Sequence, residues 1–180
     1  MSVTLPSRLE TERLILRETS RDDADAVNAY AADPDVTRFL SFATHTDRPE
    51  AVAYLALCDE NRAGGRSNAY MIQRRAGGDI VGVLDLRLET PYRLGFGYAL
   101  ARNYWGQEYM PEALTAAVAW GRAQPDIWRI WAFCDVENPA SARTMEKAGL
   151  TFEGVLRRWF IHPNVGPSPR DCRAYAWARA

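Results

Sequence analysis

Within Arg13 to Thr19 the residues Leu14 and Leu16 stand two apart, which predicts a strand with both leucines on one face. Ser20, followed three residues on by Asp23, is a capping pattern, and the helix behind it would bury Ala24, Val27 and Ala31. Asp33-Pro34 stops that helix. From Asp35 to Asp47 the chain has no period and carries two exposed-looking aromatics, Phe39 and Phe42. A second helix is predicted from Pro49, at a favoured first-turn position, to about Asn61, with Gly64-Gly65 ending it.

Beyond that point the period drops to two. Asn68 to Arg75 and Asp79 to Leu88 read as strands joined at Gly77-Gly78, and Thr90-Pro91 turns the chain into a third strand, Arg93 to Ala101. Gly95 and Gly97 lie inside that strand, where glycine marks a bulge or a close approach. A helix follows from about Met110, with Pro111 near its start and Glu112 in its first turn; Ala113, Leu114, Ala117, Val118 and Gly121 give it a small apolar face. Ile127 to Cys134 is a strand, Asn138-Pro139 opens a helix that Gly149 closes, and strands are predicted near Phe152 to Ile161 and Arg173 to Arg179. Three consecutive strands followed by alternating helices and strands define an α+β fold with a mixed sheet, antiparallel early.

The bulk properties narrow the chemistry. A chain of 180 residues, 47% hydrophobic and 25% charged, suits one domain spanning 1–180 with a sizeable core. A formal charge of -1 gives no electrostatic case for nucleic acid or an anionic membrane as partner. The first ten residues have no apolar signal-like run, so a cytoplasmic protein is expected. Lys147 is the only lysine, which removes a G-x-x-x-x-G-K phosphate loop. Cys58, Cys134 and Cys172 with His45 and His162 are too scattered for a disulfide framework or a metal site, so no metal is expected.

The informative join runs from the strand end at Leu100-Ala101 through Arg102-Asn103-Tyr104-Trp105-Gly106-Gln107-Glu108 into the helix. A helix N-terminus offers unpaired N–H groups and a positive dipole end, so a pyrophosphate can sit there without lysine. Further on, Asn138 and Ser141 stand three apart and can share one side of a first helical turn. Four segments together resemble the GNAT N-acetyltransferases, in the branch of RimJ/RimL-like ribosomal-protein acetyltransferases. They are Leu9-Glu10-Thr11-Glu12-Arg13-Leu14-Ile15-Leu16-Arg17, Gly97-Tyr98-Ala99-Leu100 with Tyr104-Trp105-Gly106, Glu137-Asn138-Pro139-Ala140-Ser141 with Glu146-Lys147-Ala148-Gly149, and Arg170-Asp171 with Tyr175.

The resemblance implies a largely antiparallel sheet with helices on both faces and two splayed strands that admit the pantetheine arm of acetyl-CoA, the co-substrate. It implies that backbone groups of Ala99, Leu100 and Ala101 bind the arm's amides, that Trp105, Gly106, Gln107, Glu108, Tyr109 and Met110 form the pyrophosphate loop, and that Asn138 contacts the arm. Ser141 takes the position that protonates the departing thiolate, and an N–H near Leu100 polarises the thioester carbonyl. The acceptor is an amine, of a protein N-terminus or a small molecule, and a homodimer is compatible with the branch.

Two positions depart from the family. Glu108 replaces a glycine of the loop, which sets a carboxylate beside the pyrophosphate. Gly95 stands where the branch often has glutamate, which leaves no evident general base. A peptide α-amine, with an ordinary pKa of roughly 7.7–8.0, needs a base less than lysine at about 10.4 does, so an N-terminal acceptor is favoured. The competing reading is a module that senses CoA without turnover. Asp135 and Glu137 read as solvated loop carboxylates, His162 as a surface residue, Cys134 as a buried small hydrophobe, and Trp105, Trp128 and Trp131 as packing residues. The segments expected to choose the acceptor are Asp35 to Asp47 and His162 to Arg170.

Overall fold

The structure, a computed structural model, describes residues 3–180. Its elements in chain order are β1 (Arg8–Glu10), β2 (Leu14–Glu18), α1 (Ala24–Ala31), α2 (Pro34–Thr37), α3 (Arg48–Ala63), β3 (Ser67–Arg74), β4 (Ile80–Thr90), β5 (Arg93–Leu100), α4 (Tyr109–Ala123), β6 (Arg129–Asp135), α5 (Pro139–Lys147), β7 (Thr151–Phe160) and β8 (Arg170–Ala178). The eight strands form one sheet in the order β1-β2-β3-β4-β5-β6-β8-β7. β1 and α2 were not expected; three and four residues are too few to show a period.

Every neighbouring pair is antiparallel except β5 with β6. Those two run parallel and pair at Arg93–Arg129, Leu94–Ile130 and Gly95–Trp131, and there the ladder stops. β5 continues along β4 as far as Leu100, and β6 continues along β8 as far as Asp135. The C-terminal halves of β5 and β6 therefore splay, which opens a wedge at the centre of the sheet.

Helices cover both faces. On one, α4 and α5 pack on Leu14, Leu84, Leu94 and Ile130; Ala113, Leu114, Ala117, Val118 and Gly121 are all buried, as the small apolar stripe requires. On the other, α1 and α3 pack Val27, Ala31, Ala51 and Leu55 on Met71, Val83 and Ala99. The Ser20–Asp23 capping box is present, though it caps a 3₁₀ turn, Arg21–Asp23, that feeds α1. Its Asp23 carboxylate accepts from Ser20 N at 2.8 Å and also takes the Arg17 guanidinium at 2.6 Å.

The glycines of β5 make room for side chains from β4 and mark no bulge. A Cβ on Gly95 would fall 2.5 Å from Glu89 Oε1, and one on Gly97 3.3 Å from Arg87 Nη1. No described helix is long and apolar enough to cross a membrane.

Candidate active site

The wedge is the mouth of a cleft of about 1000 Å³. One wall begins at the end of β5. Gly82 lies so close to it that a Cβ would sit 2.2 Å from the Ala99 carbonyl oxygen, so this backbone approach requires glycine. Ala101 N donates to Val81 O at 2.8 Å, and Trp105 Nε1 donates to Leu100 O at 2.7 Å. Gly106 (φ 74°) and Glu108 (φ 64°) then turn the chain through the left-handed region into α4. No side chain caps α4, so the N–H groups of its first turn face the cleft mouth without a side-chain acceptor. Glu108 holds the conformation at which the family uses glycine, and its carboxylate is tied to Lys147, whose Nζ donates at 2.6 and 2.7 Å. The carboxylate that seemed to oppose an anion is thus neutralised across the rim.

Deeper on the same wall, α5 brings Asn138 and Ser141 to β5. Asn138 Oδ1 accepts from Ser141 N at 3.1 Å, the N-cap bond expected of an asparagine before a helix. Tyr98 Oη stands 2.8 Å from Ser141 Oγ and 3.2 Å from the Ser141 carbonyl oxygen. Burial pushes the Tyr98 phenol above its ordinary range, so it remains protonated and can donate to Ser141. Cys134 is buried and its thiol is pushed up to about 11 by burial, against a hydrogen bond with Ser141.

The opposite wall faces α1 and α3 and is built from remote segments. Phe39 and Phe42, half-buried, come from the irregular stretch, Phe133 from β6, Phe160 from β7 and His162 from the loop after it. Phe133 and Phe160 lie 5.2 Å apart, Phe160 and His162 5.1 Å, and Phe39 and His162 5.9 Å with their rings edge to face. Asn164 joins the two expected acceptor segments. Its Oδ1 accepts from Thr44 N at 2.9 Å and Thr44 Oγ1 at 3.2 Å, and its Nδ2 donates to the carbonyls of Thr37 and Phe42, each at 2.8 Å.

Asp135 and His162 correct the sequence reading. Asp135 is fully buried, and His162 is 3% exposed. Arg170 clamps the Asp135 carboxylate at 2.6 and 3.1 Å, and Glu137 N donates to it at 2.8 Å. Burial alone would raise this carboxyl; the Arg170 and Glu137 hydrogen bonds and the Arg170 charge outweigh it and hold the group below its ordinary value. No local pattern marks either residue: the Arg170 that clamps Asp135 comes from β8, and the Phe39 ring against His162 comes from the stretch before α3. Glu137 is exposed, as expected. Trp105 and Trp128 are about half exposed, so neither is a core residue, and Trp131 Nε1 donates to Glu89. Asp85, across the ladder from Gly97, also lines the cleft; burial raises its carboxyl, opposed by Arg87 at 2.9 Å.

Of the residues expected at the site, Ala99, Leu100, Trp105, Gly106, Glu108, Tyr109, Met110, Asn138 and Ser141 line this one cleft. Ala101 packs toward α1 and α3 instead. The Gln107 side chain turns back to Asn103 O at 2.9 Å, and its carbonyl accepts from Arg13.

The model of the acetyltransferase (GNAT) domain matches residues 13–151. An uncharacterized N-acetyltransferase p20 of Bacillus licheniformis is 28% identical over 151 residues, 83% of this chain and 85% of that protein. Among solved structures, the microcin C7 self-immunity acetyltransferase MccE in complex with acetyl-CoA and AMP superposes with a TM-score of 0.86 at 17% identity, covering 98% of each chain. RimL, a ribosomal L7/L12 α-N-protein acetyltransferase in complex with coenzyme A, superposes with a TM-score of 0.82 at 20% identity, again covering 98% of each. At these identities the two structures share the fold. The chain belongs to the GNAT acetyltransferase family. It is an acyltransferase, and the wedge between β5 and β6 is the feature around which the fold is arranged.

Proposed function

We propose that this protein transfers an acetyl group from acetyl-CoA to a primary amine, and that the amine is the α-amine of a protein or peptide N-terminus, as in the RimJ/RimL branch. The observation that carries this reading is the wedge itself, which has an uncapped α4 N-terminus at its mouth and the Tyr98–Ser141 pair within. The unpaired N–H groups of α4 suit a pyrophosphate. The splayed edge of β5 at Ala99 and Leu100 suits the amides of pantetheine, because its backbone there is not used by β6. Two similar structures, one in complex with acetyl-CoA and one with coenzyme A, support the same ligand.

In this reading bound acetyl-CoA supplies an activated acyl carbon, and the protein supplies placement and protons. Ser141 donates a proton to the departing thiolate, and Tyr98 Oη replenishes it through the 2.8 Å contact. An acceptor screen tests the function: acetyl-CoA with peptides bearing free N-termini, N-terminally blocked lysine peptides and small amines, read by product mass. Acetylated peptide N-termini are expected. Product from small amines alone overturns the N-terminal reading, and acetyl-CoA binding without any product leaves a sensor. Ser141→Ala should lower kcat by about 10- to 100-fold and leave acetyl-CoA affinity within about two-fold, because the residue acts on a proton and not on the bound arm.

A further inference from the structure

The α1–α3 side of the cleft contains an ionisable ring that the fold leaves unsatisfied. His162 is 3% exposed, lines the cleft, and has no hydrogen-bond partner on Nδ1 or Nε2 among the described residues. Buried polar groups are almost always paired, so a ring with both nitrogens open implies a partner that arrives with a ligand. Asp135 Oδ2 stands 3.6 Å from Nε2, too far for a hydrogen bond. The charges around the ring are Asp135 of β6, Arg170 of β8 that clamps it, and Glu137, which pairs with Arg170 at 2.9 Å and Arg38 at 3.8 Å. The rings of Phe39 and Phe160 also stand against it, at 5.9 and 5.1 Å between centroids.

We propose that His162 is the proton acceptor of the transfer reaction, placed at the end of a ring-lined chamber for a primary amine whose adjoining group is apolar or aromatic. The proposal rests on the acetyl-transfer reading, and it fills the place of the base that Gly95 leaves vacant. The acceptor ammonium gives one proton to His162, which passes it to solvent. The free amine then forms the C–N bond to the acyl carbon as the C–S bond breaks. The second nitrogen proton leaves by the same ring, the thiolate takes one from Ser141, and solvent returns one proton to the Tyr98–Ser141 pair, so one ammonium and one thioester yield one amide, one thiol and one released proton. The carboxylates that line the cleft are each taken by a cation: Asp85 by Arg87 at 2.9 Å, Asp35 by Arg102 at 2.6 Å, Glu108 by Lys147 and Asp135 by Arg170. The chamber's Phe39, Phe133 and Phe160 offer faces and edges to an apolar group and no hydrogen-bonding partner to a hydroxyl.

The experiment measures acetyl transfer to peptides that differ only in a first residue of Ser, Ala, Leu or Phe, using wild type, His162→Phe and His162→Gln across pH. His162→Phe keeps a ring against Phe39 and Phe160, so a packing role would survive it. We expect Leu and Phe peptides to exceed the Ser peptide by about 10-fold in kcat/KM, and both variants to lose about 100-fold with a changed pH–rate profile. Variants within about three-fold of wild type with an unchanged profile overturn the role of His162. A Ser peptide preferred to Leu and Phe overturns the chamber. Absence of transfer by the wild type to any amine overturns the acetyl-transfer reading, and this inference with it. Because the chain has 2 histidines, nuclear magnetic resonance titration of the wild type decides the matter even if a variant fails to fold. Phenylalanine amide should shift the His162 ring resonances and leave those of His45, and an unshifted His162 overturns the proposal.

Discussion

The wall of the cleft beside α4 and α5 is held by backbone contacts and by links between neighbours in sequence. Gly82 fits under Ala99, Trp105 reaches back to Leu100, and Asn138 caps Ser141. The wall beside α1 and α3 is held by side chains far apart in the chain: Asn164 on Thr37, Phe42 and Thr44, and Arg170 on Asp135. A wall made of backbone can hold one ligand through many changes of sequence. A wall made of remote side chains changes shape with a few substitutions. The first plan suits a co-substrate common to a family, and the second suits an acceptor that differs between members.

The largest effect should come from the backbone wall. Gly82→Val drives its branched side chain into the Ala99 carbonyl, and should cost about 3 kcal/mol or more and abolish measurable acetyl-CoA binding. Urea unfolding and calorimetry check this; a stable variant that binds normally breaks the distinction between the walls. Asp135→Asn comes next, with a loss of about 2 kcal/mol near neutral pH, since Arg170 keeps Glu137 as a partner. The Asp135 carboxyl is held below its ordinary value of 3.8, so its contribution is complete above that pH and disappears as pH falls through the lower folded value. The gap between wild type and Asp135→Asn in denaturant midpoints should accordingly narrow below about pH 4.

Asn164→Ala removes four hydrogen bonds from the wall beside α1 and α3 and should raise the acceptor KM about 10-fold, with acetyl-CoA affinity unchanged. Weaker acetyl-CoA binding in this variant would show the two walls to be one unit. The smallest effect is expected at the rim, where Glu108→Gly relieves a left-handed backbone by roughly 1 kcal/mol and frees the Lys147 cation, which should tighten acetyl-CoA binding about two- to five-fold. Calorimetry showing equal or weaker binding counts against it.

The same contrast decides what could be read from the sequence. The strands other than β1, α4, the capping box and the N-cap at Asn138 were legible because each is set by a period or by partners within a few residues. The splay followed from family resemblance and not from any pattern in β5 or β6. Asp135 was misread because Arg170, which clamps it, lies 35 residues on, and His162 because Phe39, whose ring stands against it, comes from the stretch before α3. Asn164 carried no signal at all, since its partners lie more than a hundred residues away, as the separations of 120 and 127 show. Tyr98 was identified as part of a motif, but its hydroxyl contact with Ser141 joins β5 to α5 and has no trace in either segment.

Lys147 supplies the chain's single ε-amine, and the ion pair with Glu108 stations it on the rim of the cleft. A lysine-directed acylating reagent therefore has one side-chain target, and that target reports on the doorway. Its labelling rate gives an occupancy gauge that requires no engineered probe: a ligand filling the mouth should protect the amine, and release of the Glu108 contact should quicken its modification.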